Sequence, residues 1–69
     1  MSGRILVRAL KRAGFQEVRQ RGSHLALRKA TPERTYKVVV PLHPSLARGT
    51  LFSILKQAGL TADQLRDLL

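Results

Sequence analysis

The chain has 69 residues, no cysteine, and a formal net charge of +9 at pH 7 from thirteen Lys and Arg against four Asp and Glu. That length makes one small domain, residues 1–69, which buries roughly 60% of its unfolded surface and leaves no room for a second. The lack of thiols excludes a disulfide framework and thiolate metal sites, no apolar run approaches the roughly 18 residues of a membrane span, and no secretory signal core opens the chain, so a cytoplasmic protein is expected.

The charge is one-sided, because up to Arg48 eleven basic residues are set against only Glu17 and Glu33. Such a field draws polyanions, nucleic acid first, with an anionic membrane surface or an acidic protein behind it. Ser2 is an N-cap for a helix through about Ala13, and Gly14 supplies the left-handed residue that ends it. Ile5, Leu6, Ala9, Leu10 and Ala13 form its apolar stripe. Arg4, Arg8 and Arg12 recur every four residues with Lys11 beside them, a ridge suited to phosphates or to plain solvation.

Phe15 to Gln20 reads as a first strand with Val18 inward and Glu17 and Arg19 outward, Arg21-Gly22 as a hairpin turn, and Ser23 to Lys29 as the second strand. Alternation sends Ser23, Leu25 and Leu27 to one face and His24, Ala26 and Arg28 to the other. Thr31-Pro32-Glu33-Arg34 carries turn chemistry. Thr35 to Val40 alternates as a third strand, with Tyr36, Val38 and Val40 on one side and Thr35, Lys37 and Val39 on the other, and Pro41 ends it.

Leu42 to Arg48 is a loop holding His43 and Pro44. Gly49-Thr50 then opens an amphipathic helix with Leu51, Ile54, Leu55 and Ala58 inward, Phe52 beside that stripe, and Gly59 at its end. Thr61-Ala62-Asp63-Gln64 has the form of a capping box, with Leu60 and Leu65 set for a hydrophobic staple, so a short last helix turns Leu65, Leu68 and Leu69 inward. The expected fold class is α+β: helix, three-stranded antiparallel sheet, helix, short helix. With the helices on the Leu25, Leu27, Val38 and Val40 face, the opposite face gathers Arg19, His24, Ala26, Arg28, Lys37 and Val39. That open face is basic and carries a histidine.

Gly22-Ser23-His24 opening a strand, Val38-Val39-Val40-Pro41-Leu42-His43 closing another, and Gly49-Thr50-Leu51 leading into Ser53-Ile54-Leu55-Lys56-Gln57-Ala58-Gly59-Leu60 resemble the HicA family of bacterial toxins. The resemblance covers nearly the whole chain. It implies a fold similar to the double-stranded RNA-binding domain, cleavage of messenger RNA, and a HicB antitoxin as inhibitory partner. It also implies that His24 is the catalytic residue, that Gly22 and Ser23 shape the turn before it, and that His43 matches a second histidine often found after the third strand. Ala47-Arg48 departs from the family's common Lys-Pro pair, and Phe52 stands where a basic residue is common.

The chemistry can be weighed on the residues alone. Four acids, two far apart and two on a terminal helix, do not supply the converging carboxylates that two-metal ribonucleases need, and His24 with His43 would lack further zinc ligands. No metal or cofactor is therefore expected. Attack of the ribose 2′-hydroxyl on its own phosphate needs instead a base that exchanges a proton near neutrality and cations to stabilise the phosphorane. His24 is the candidate base, and Arg4, Arg8, Lys11, Arg12, Arg19, Arg28 and Lys37 are the candidate RNA contacts. The acid that protonates the leaving 5′-oxygen stays open among His43, a lysine and water, with His43 ranked rather as an anchor of its loop. Phe15 and Tyr36 read as core, so recognition should rest on backbone charge and shape. The alternative is a non-catalytic RNA-binding module that uses the same basic sheet.

Overall fold

The structure is a computed structural model and describes residues 1–69. Its elements are α1 (Gly3–Arg12), β1 (Gln16–Arg21), β2 (His24–Ala30), β3 (Thr35–Pro41), α2 (Arg48–Ala58) and α3 (Ala62–Leu68). This is the expected α+β order, and it is compatible with the double-stranded RNA-binding-domain architecture. The strands form an antiparallel sheet in the order β1-β2-β3.

One face of that sheet meets the helices. Leu25, Leu27, Val38 and Val40 join Leu6, Val7, Ala9 and Leu10 of α1, Ile54, Leu55 and Ala58 of α2, and Leu65 of α3 in a single buried cluster. Each fully buried aliphatic side chain contributes about 1.5–3 kcal/mol relative to exposure, so this cluster dominates the stability of a chain this small.

The helix ends are built as the residues dictate. The Ser2 hydroxyl accepts the Ile5 N–H at 3.1 Å, and Thr61 and Gln64 close a reciprocal capping box, with bonds of 3.1 and 2.9 Å. Gly59 ends α2 at φ 72°, and a Cβ there would stand 2.7 Å from Cε1 of Tyr36, so both conformation and space require glycine. Tyr36 is partly buried against the core while Phe15 is fully inside it.

Strand β1 departs from the sequence reading in an instructive way. Its hairpin turn is Gly22-Ser23, with Arg21 paired to His24, rather than Arg21-Gly22. Gly22 has φ 55°, the positive value a two-residue hairpin needs at its first turn position. Counting back from that turn, strict alternation would put Val18 inward. A bulge between Glu17 and Arg19 intervenes, so Glu17 pairs with Leu27, Val18 becomes the extra residue, and Val18 is 58% exposed. The parity explains it, because the one-residue insertion returns Phe15 to the helix side of the sheet. Burying a phenylalanine outweighs burying a valine.

Smaller differences follow from the same packing. The inward face of α1 runs through Gly3, Leu6 and Leu10, which takes Val7 into the core and leaves Ile5 44% exposed. Leu69 lies beyond the last turn of α3 and is exposed, and Leu46, assigned to a loop, is buried. Leu27→Ala should cost about 2–5 kcal/mol in urea denaturation, whereas Val18→Thr should change stability by less than about 0.5 kcal/mol. A loss at Val18 as large as at Leu27 would overturn the bulged register.

Candidate functional site

The site grows from the short hairpin. Because Gly22-Ser23 turns the chain in two residues, His24 is the first residue of β2, with Arg21 directly opposite on β1 and Pro41 opposite on β3. Leu25 next to it is buried, so alternation leaves the His24 ring exposed on the open face. Side chains directly opposite across antiparallel strands have Cβ atoms about 4.5–5.5 Å apart, which makes Arg21 the cation nearest to His24 by register. Arg21 is not among the site residues expected from the sequence. The signal was there: placing the positive-φ glycine first in the turn, rather than second, puts Arg21 in register with His24.

The second histidine arrives from the end of β3. The Leu42 N–H donates to the Ser23 carbonyl at 2.6 Å, carrying the β2–β3 ladder past its last pair, and His43 follows. Its carbonyl accepts the N–H of Gly3 at 2.9 Å, and the Leu46 N–H donates to the carbonyl of Met1 at 2.8 Å, so the loop is held by the residues that begin α1. The approach is close enough that a Cβ on Gly3 would lie 1.9 Å from the Pro41 carbonyl oxygen. Gly3 is thus a positioning residue that sequence reasoning passed over. A glycine in the first turn of a helix, where propensity disfavours it, is the signal that marks close backbone approach.

These constraints bring the two imidazoles together. The ring centroids of His24 and His43 lie 6.2 Å apart with the planes at 77°, and both residues are exposed. Nowhere in the chain do three His, Asp or Glu side chains converge on one point. The arrangement sets two imidazoles side by side, with Arg21 opposite His24 across the hairpin.

The remaining basic residues fall into separate groups. Arg19, Arg28 and Lys37 line a shallow groove of about 640 Å³ on the open face, floored by Val18, Ala26 and Val39. Arg28 and Lys37 are paired across β2 and β3, four residues along the ladder from His24 and Pro41. No carboxylate neutralises them, since the ion pairs of the chain are Lys11 with Glu17 and Arg66 with Asp63. Arg4, Arg8 and Lys11 instead line a smaller groove of about 280 Å³ between α1 and β1, with Glu17 and Gln20 on its other wall. Glu17 faces this groove because the bulge turned it there. Arg12 belongs to neither group, and its guanidinium donates to the Leu68 carbonyl at 2.7 Å, tying α1 to α3. The seven predicted contact residues therefore do not form one surface.

The family model described as the HicA toxin of bacterial toxin-antitoxin matches residues 3–60. The chain belongs to that family. No curated protein matches it.

The dependence of the site on Gly3 is open to test by denaturation. Gly3→Ala should destabilise the protein, because its Cβ meets backbone that must shift, whereas Gly49→Ala, with nothing within 4 Å, should stabilise α2 by about 0.5–1 kcal/mol. Equal effects at the two glycines would contradict the docking of α1 against Pro41.

Proposed function

We propose that this chain is an endoribonuclease toxin of the cytoplasm that cuts messenger RNA by transesterification without metal, with His24 as general base. The observation that carries the reading is the His24 imidazole, exposed at the end of a basic sheet face and opposite Arg21. His24 takes the proton of a ribose 2′-hydroxyl, the 2′-oxygen attacks the adjacent phosphorus, and the P–O5′ bond breaks as O5′ takes up a proton. Arg21 stabilises the charge that accumulates on the phosphoryl oxygens. Arg19, Arg28 and Lys37 hold the backbone of the flanking nucleotides, while Val18, Ala26 and Val39 between them give ribose and base faces an apolar surface. Gly22 and Ser23 act through geometry, since the turn decides where His24 lies.

The same face suits an inhibitory protein. Val18 and Val39, 58% and 51% exposed, sit among unneutralised cations, a mixture matched by a partner with acidic rim residues and apolar contacts at its centre. A HicB-type antitoxin seated there would cover His24 and compete directly with RNA. No helix of the chain is long and apolar enough to cross a membrane.

His24→Ala tests the reading. Its ring is exposed, so fold and RNA affinity should hold, while cleavage should fall by about 10²–10⁴ through loss of the base. RNA carrying hydrogen in place of the 2′-hydroxyl should resist the parent protein. A folded His24→Ala protein that binds RNA and cuts at the parental rate would instead point to a non-catalytic binding role for this histidine.

A further inference from the structure

We propose that His43 is the general acid of the same reaction, donating the proton to the departing 5′-oxygen from the opposite side of the scissile phosphate. The inference rests on the reading of His24 as the base. It starts from the juxtaposition of the two rings, whose centroids lie 6.2 Å apart at 77°. An in-line displacement puts the entering 2′-oxygen and the leaving 5′-oxygen on opposite sides of phosphorus, and each must lie about 2.6–3.2 Å from the group that serves it. Two imidazoles can do this only if they are separated enough to admit a phosphate and near enough for both to reach it. Stacked rings would leave no space, and rings at opposite ends of the sheet could not share one phosphate.

The backbone explains why the ring of His43 is free for this work. His43 does anchor its loop, but through its carbonyl, which accepts the Gly3 N–H at 2.9 Å. The imidazole itself is exposed and takes no part in that bond. Both histidines stand on fixed main chain: His24 is paired with Pro41 in the ladder, and Leu42 beside His43 donates to Ser23 beside His24 at 2.6 Å. The main chain beneath both rings is therefore held by the fold, which limits the search each ring makes when substrate arrives.

Lys11, Lys29, Lys37 and the carboxylic acids are engaged or placed elsewhere. Lys11 is paired with Glu17 in the α1 groove, Lys29 lies over the Phe15 ring, and Lys37 stands opposite Arg28, about 13 Å along the strand from the His24 row at roughly 3.3 Å per residue. Arg21 faces His24, but a guanidinium does not give up its proton in proteins. Glu33 lies in the turn between β2 and β3, at the opposite end of the ladder from His24, and Asp63 and Asp67 are on α3.

Neutral His24 accepts the 2′-hydroxyl proton as the 2′-oxygen bonds to phosphorus, and protonated His43 gives its proton to O5′ as the P–O5′ bond breaks. The products are a 2′,3′-cyclic phosphate and a 5′-hydroxyl, with His24 now protonated and His43 neutral. Hydrolysis of the cyclic phosphate by water, with the two roles exchanged, restores the starting states.

The test compares two oligonucleotides containing one bond that the parent protein cuts. One carries the natural 5′-bridging oxygen at that bond, and the other a 5′-bridging sulfur, whose thiolate departs without being protonated. His43→Ala and His43→Gln should slow the oxygen RNA by about 10²–10⁴ and the sulfur RNA by less than about tenfold, while His24→Ala slows both. Equal slowing of both RNAs by the His43 variants, or no slowing of either, would overturn the acid assignment and leave the His24 reading standing. A His24→Ala protein that cuts either RNA at the parental rate would strike the underlying reading itself.

Discussion

The pairing of β2 with β3 governs the candidate site, because four buried residues set its register and the places of two histidines follow from it. Leu25 lies opposite Val40 and Leu27 opposite Val38, all inside the core. A slip of one residue would reverse one strand against the other, turning two of these aliphatics to solvent and driving either His24 and Arg28 or Lys37 inward. Losing two aliphatic burials costs several kcal/mol, and burying an unpaired cation costs more, so the register has no close competitor. Once it holds, His24 must stand opposite Pro41, and His43, two residues beyond, comes with it.

Electrostatics then divides the molecule. Strand β1 is an edge strand whose six residues are all exposed, and its bulge sends Glu17 to the α1 side and Arg19 to the open side. The Lys11–Glu17 pair is solvent-exposed and adds little to stability. Its consequence is local, since it neutralises one cation in the α1 groove while the cations of the open face keep their full charge. The charged and amide side chains along β1 also protect an edge that would otherwise invite pairing with another chain.

Much of this was legible in the sequence, and the reasons differ by element. Alternation in Leu25-Ala26-Leu27 and Val38-Val39-Val40 placed the core and the open face, since period-two patterns have a single physical reading when both strands agree. The caps at Ser2, Gly59 and Thr61 were legible because each rests on one side chain or one backbone conformation. Val18 was assigned to the wrong face because a bulge shifts parity without a local signature. A clue lay in Phe15 and Val18 themselves, which are three apart and cannot share one face of an unbulged strand. The meeting of His24 with His43 was not legible, because it depends on two segments brought together by the ladder and on Gly3 docking against Pro41.

The central claim is that this sheet end performs acid–base chemistry on the 2′-hydroxyl and the phosphate next to it. The chemical identity of the RNA ends tests it most directly. Products formed in excess EDTA and resolved by mass spectrometry should carry a 2′,3′-cyclic phosphate, passing to a 3′-phosphate, on one fragment and a 5′-hydroxyl on the other. Fragments ending in a 3′-hydroxyl and a 5′-phosphate, or cleavage that stops in EDTA, would contradict it.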